Sequence, residues 1–258
     1  GPITRYPSAE NWIFRLSVDD TKAGYVIAAH AVIKRGFQKP HLLLEQTGWG
    51  RSNHKTMTRA LKELSMPDPD VTWFNWGLKA TDAKIMLRNI ATSGSDVIFL
   101  VANAPEGKAI AKAMFSLDEE YRLPMMSHWG ITGGDFSKML GSDILEKLNL
   151  EFIQTKFSFL EMKNNRFAQS VFKRASALFP EAIRIPRDIK APAGFIHAYD
   201  LTRLLISAVD QAGLSGDIKK DRAAIRNALE HLEKPVKGLI KTYLRPFMPY
   251  HETRPDAH

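Results

Sequence analysis

Gly48-Trp49-Gly50-Arg51-Ser52 follows the apolar run that ends at Glu45 and precedes an amphipathic stretch. A turn placed between a strand and a helix start presents free N–H groups and the positive end of a helix dipole to a ligand. This one has neither the lysine of a phosphate-binding loop nor the third glycine of a dinucleotide fingerprint, so phosphate is not its expected ligand. Trp49, at the tip of the turn, offers a flat face to an aliphatic, aromatic or cationic group. Ser52 and Asn53 carry N-cap chemistry for the helix beyond it. Asn103 offers two donors and an acceptor, or else serves as a turn or helix cap. His128, beside Trp129, titrates near neutrality and invites a metal or general-base reading. A lone histidine with neither a second metal ligand nor a nucleophile assigned to it is more often a hydrogen-bonding group, and that role is expected instead. Glu45 and Glu106 would supply two carboxylates, but their spacing fixes no separation. The chain has no cysteine, which excludes disulfides, thiolate metal sites and a cysteine nucleophile. Neither a metal nor a cofactor is expected, and the nucleophile, metal cluster or cofactor fingerprint that an enzyme would need is not found in the sequence.

The elements that must hold these residues alternate. Asp19 or Asp20 caps a helix on which Ala23, Val26 and Ile27 recur, and that helix ends near Gly36. A strand runs from His41 to Glu45, and Met57, Ala60, Leu61 and Leu64 give the next helix a core face. Val71 to Trp76 reads as a second strand. Ala83, Met86, Leu87 and Ile90 mark a helix stopped by Gly94. Asp96 to Ala102 is a nearly continuous apolar run, the pattern of a strand covered on both faces. Pro105 and Glu106 suit the first turn of the helix that buries Ala109, Ile110, Ala113 and Met114. Leu123 to His128 is a further strand. This rhythm predicts an α/β fold, a doubly wound parallel sheet whose ligand crevice lies at the carboxyl ends of the strands. From residue 151 on the pattern changes. Leu150 to Phe159 reads as a long strand, three helical stretches follow around Val171, Leu204 and Leu229, and the tail from Pro246 is irregular. The expected division is a ligand-binding lobe over 1–150 and a crossover strand with additional helices over 151–258.

Composition sets the class. The 258 residues are 44% apolar and 25% charged, as in a soluble globular protein. The formal charge of +8 comes from scattered basic residues without interleaved aromatics, so nucleic acid is not an expected partner. No apolar stretch nears the roughly 20 residues that cross a bilayer. The amino terminus lacks the apolar core of an export signal, so any such signal is expected to have been removed or omitted.

Several stretches together resemble the type I periplasmic solute-binding proteins of the branched-chain amino acid transport class. FRLSVDDTKAG (Phe14 to Gly24) resembles the entry into the family's second lobe, and LLLEQTGWGRS its strand and aromatic-glycine turn. DVIFLVANAPEG and LPMMSHWG resemble its next two strands with their turns, and KGLIKTY (Lys237 to Tyr243) its late strand. The resemblance implies a non-catalytic component of an ABC-type transporter, periplasmic or otherwise extracytoplasmic. It would capture an amino acid or a small organic acid or amide between two lobes and deliver it to a membrane permease. The alternative is the sensor domain of a receptor or regulator. Carried over residue by residue, the ligand contacts fall on Trp49, Asn103 and Trp129, with His128 adjacent. The position of Trp129 is not acidic, which argues against capture of an α-ammonium group there. The family has a first lobe ahead of the Phe14 stretch, and only about a dozen residues precede Phe14. The helices after Phe195 are those that in the family return to that lobe. Their apolar side chains Leu204, Leu205, Val209 and Leu229 are thus expected to lie uncovered unless a partner or self-association covers them.

Overall fold

Asp19 opens the first element: its Oδ1 accepts the Thr21 N–H at 2.9 Å and caps helix α1 (Asp20–Ala29). The helix widens into a π-helical turn over His30–Lys34 and is released at Gly36, whose φ of +77° suits a residue without a Cβ. The computed structural model describes residues 11–134, 136–189 and 191–251. By contact the chain divides into two units. One is Val18–Gln154; the other joins the described residues up to Ser17 with those from Thr155 onward.

The first unit carries the expected alternation. Strand β1 (Pro40–Glu45) is buried along its whole length. Helix α2 (Gly48–Glu63) begins earlier than Ser52 and Asn53 suggest, because Thr47 is its cap and accepts the Gly50 N–H at 3.2 Å. The Gly-Trp-Gly stretch is therefore the first helical turn and not a loop. Gly50 makes that possible, since a Cβ there would overlap the Glu45 carbonyl oxygen. Strand β2 (Asp70–Phe74) stops two residues short of Trp76, and α3 (Ala80–Thr92) follows. Strand β3 (Val97–Val101) is wholly buried and leads into α4 (Ala104–Phe115). Strand β4 (Met125–Ser127), the short helices α5 (Phe136–Leu140) and α6 (Ser142–Lys147), and β5 (Leu150–Phe152) complete the unit. The long strand expected to reach Phe159 ends at Phe152, because its neighbour β4 offers only three residues to pair with.

All five strands are parallel, in the order β2-β1-β3-β4-β5. The direction of winding reverses between β1 and β3, which creates a crevice at their carboxyl ends. Strand side chains alternate between the two faces. Leu42, Leu44, Val97 and Phe99 meet Ile27, Met57 and Leu61 of α1 and α2. Leu43, Ile98 and Leu100 meet Leu87, Ile110 and Met114 of α3 and α4. Burying each such side chain contributes roughly 1.5–3 kcal/mol, so the sheet is a firm platform for what stands at its edge.

The second unit contains α7 (Arg166–Leu178), α8 (Pro192–Ala212) and α9 (Ile218–Glu230), matching the three helical stretches. The segment expected as one late strand is instead a ribbon of β6 (Val236–Lys237) and β7 (Thr242–Tyr243). Asp200 of α8, fully buried, bends it: its carboxylate accepts the Leu239 N–H at 2.6 Å, the Ile240 N–H at 3.1 Å and the Tyr243 hydroxyl at 2.8 Å. Burial and the Asp200 contact push the Tyr243 phenol well above its ordinary pKa. Leu204 and Leu229, expected to lie uncovered, are buried in a cluster with Ala208, Leu232 and Phe247 of the same unit. Leu205 is exposed and Val209 half-buried. Of the tail expected to be irregular, Phe247 is buried and residues 252–258 lie outside the described residues. Among the described residues no helix is long and apolar enough to cross a membrane.

Candidate functional site

Four loops leave the carboxyl ends of β1 to β4, and their side chains interlock across the strands. At the end of β1, Glu45 is 1% exposed. Its Oε1 accepts the Trp76 indole N–H at 2.7 Å, and its Oε2 accepts the Asn103 amide at 3.0 Å. One carboxylate thus ties the loops after β2 and β3 to β1. Both of its partners are neutral donors. Asn103 stands at the amino end of α4 but makes no side-chain cap bond, and its amide reaches Glu45. Glu106, buried in the first turn of α4, accepts the Gly77 N–H at 3.0 Å and fixes the β2 loop a second time. Gly77 has a φ of +75°, and Trp76 next to it projects outward, 72% exposed.

The β4 side of the edge is aromatic. His128 is 1% exposed and meets Trp49 edge-on at 5.0 Å and Trp129 edge-on at 5.6 Å between ring centroids. The Trp49 indole N–H donates to Asp20 Oδ1 at 3.2 Å, and His128 Nε2 lies 3.7 Å from the same oxygen. Burial pushes the imidazole pKa down to about 4 against the pull of Asp20, so the ring is neutral at neutral pH. Among the described residues neither ring nitrogen has a hydrogen-bond partner. Gly130 leaves the space that Trp49 fills. A Cβ there would come within 2.5 Å of the Trp49 ring and 2.6 Å of the Ala102 carbonyl oxygen. Trp49 thus lies across the backbone that follows β3 and β4.

Trp49, His128 and Trp129 therefore form one aromatic group. Asn103 belongs to a second group with Glu45 and Trp76. Sequence reasoning left Glu45 and Glu106 as an unplaced carboxylate pair and missed Trp76 and Asp20. A signal for Trp76 was present: it follows β2 and precedes a glycine, at the same edge to which Trp49 was assigned. A neutral, enclosed imidazole beside indoles is poorly placed for general-base work. Among the described residues no three His, Asp or Glu side chains stand close enough to hold a metal ion.

No protein-family model matches the sequence, and no curated protein matches it. Solved structures do. A leucine-binding protein from Thermotoga maritima superposes with a TM-score of 0.71 at 16% identity, over 94% of this chain and 62% of its own. A type 1 periplasmic binding protein from Bordetella pertussis Tohama I gives 0.63 at 17% identity, over 88% and 57%. An ABC-transporter solute-binding protein from R. palustris, solved with benzoate, gives 0.69 at 15% identity, over 93% and 60%. The fold is that of the type I periplasmic binding proteins, in keeping with the expected α/β class. The chain spans about 60% of the length of these structures.

Proposed function

We propose that this chain is a solute-binding component of an ABC-type uptake transporter. It takes a small organic molecule at the carboxyl edge of its parallel sheet and passes it to a membrane permease outside the cytoplasm. The observation that carries this reading is the convergence of Trp49, His128 and Trp129 at that edge, with Asn103 on the neighbouring strand end. Indole faces, an amide and an unpartnered imidazole hold a ligand by burial and hydrogen bonds without transforming it. The structural neighbours are solute-binding proteins, which supports a non-catalytic role. Amino acids and small organic acids or amides are the classes to try first.

The test is a thermal-shift screen of such solutes followed by calorimetry on any that stabilise the chain. Trp49→Ala and Trp129→Ala should each weaken binding by about 1 kcal/mol or more, with the circular-dichroism spectrum retained. Affinities that stay unchanged in both variants would remove this edge from the binding site.

A further inference from the structure

The carboxylates at the sheet edge raise a question of charge. Glu45 is buried with both oxygens held by neutral N–H donors, and Glu106 is buried with a backbone amide as its partner. Among the described residues neither has a Lys, Arg or His partner, although the chain as a whole is strongly basic. Asp20 adds a third acidic side chain at the β4 side of the edge. A buried carboxylate without a counter-charge is costly, and the cost falls when a cation binds beside it. Trp76 stands over this corner with its N–H fixed on Glu45 and its ring largely exposed, so its face is free to lie against a cation.

His128 is an independent observation pointing the same way. It sits two strands along the same edge, on the order of 10 Å from the end of β1 at ordinary strand spacing. Among the described residues both of its ring nitrogens are buried and unpartnered, an arrangement that folded proteins rarely leave uncompleted. Because the ring is neutral, it adds no positive charge, and its free lone pair accepts from an N–H or O–H. A carboxylate-bearing ligand end at the β1–β3 corner would instead meet Glu45 and Glu106, which among the described residues have no cationic partner.

We propose that Glu45, Trp76 and Asn103 form a subsite for a cationic nitrogen group, so that the solute carries an ammonium, quaternary ammonium or guanidinium end and reaches toward His128 with a polar atom. This rests on the solute-binding reading above and narrows it. The subsite lies at the ends of β1, β2 and β3, apart from the Trp129 position.

The experiment compares charge at constant shape. Choline is titrated against its neutral isostere 3,3-dimethylbutan-1-ol, and benzylammonium against benzyl alcohol and benzoate, all on the full chain by calorimetry. The cations should bind at least about tenfold more tightly than their neutral partners, and benzoate more weakly still. Trp76→Ala should reduce cation affinity about tenfold, whereas Trp76→Phe, which keeps a ring, should lose less. Glu45→Gln should bring each cation to within about threefold of its isostere. Should that variant fail to fold, the wild-type ratios and the Trp76 pair decide alone. Alcohols or benzoate binding as tightly as the cations would overturn the cationic subsite while leaving solute binding intact. Failure of all five at millimolar concentration would overturn it too, and the broader screen then judges the solute-binding reading separately.

Discussion

His128 is a titratable side chain that the fold keeps uncharged, and this makes stability depend on pH in a definite direction. Its pKa in the folded chain is about 4 against an ordinary 6.5, so the unfolded chain takes up the proton first. The stability linked to this group is complete above about pH 6.5, declines as the pH falls toward 4, and levels off below that. Between pH 7.5 and 4.5 the loss should be about 2–3 kcal/mol. His128→Gln should remove that share of the acid sensitivity. Urea unfolding of both proteins at the two pH values measures it, and equal losses in the two would show that the imidazole is not held neutral. Trp49 and Trp129 beside it were legible in the sequence, since each follows an apolar run and residues there face the crevice of a parallel sheet. The Glu45 clamp was not. Its partners lie 31 and 58 residues away, and no periodicity in a sequence encodes which side chains meet across three strands.

The start of α2 shows how an element can be read correctly and begun at the wrong residue. Gly48 and Gly50 around a tryptophan have the composition of a loop, yet their service here is to let a helix begin tight against β1. Gly50 is small because the Glu45 carbonyl oxygen occupies the space where a Cβ would stand. Gly50→Ala should therefore cost about 1–3 kcal/mol in denaturant unfolding and shift Trp49 with the first helical turn. A variant as stable as the wild type, with unchanged tryptophan fluorescence, would refute the close approach. The strands β1 and β3 were legible because burial on both faces leaves an unbroken apolar run. The 150–159 stretch is rich in apolar residues as well, but pairing decides where a strand ends, and β4 is too short to carry it further. The 237–243 ribbon was hidden for a similar reason. What bends it is Asp200, about forty residues earlier, and its bonds to two backbone amides cannot be seen in the segment itself.

At the scale of the whole molecule, the helices expected to return to another lobe satisfy part of their apolar surface among themselves. Leu204 and Leu229 are covered within the chain, while Leu205 and Ile206 stay exposed. Self-association is therefore not required to bury the first pair. The sheet unit, Val18–Gln154, is one continuous stretch of chain, whereas the helical unit is made of two pieces separated by all of it. Phe14 and Phe247, whose rings meet at 5.0 Å, come from those two pieces. To bring them together, an unfolded chain would have to close a loop as long as the intervening unit, and the entropy of closure grows with that length. Once the sheet has formed, the same loop is collapsed into a compact body and the closure is easier. The order of assembly is thus written into the connectivity: sheet first, helices second. Residues 18–154 produced alone should unfold in a single cooperative transition, whereas residues 155–251 alone should show none. In the living cell this means that the piece ending at Ser17 waits for its partners until the segment beyond Gln154 has been made.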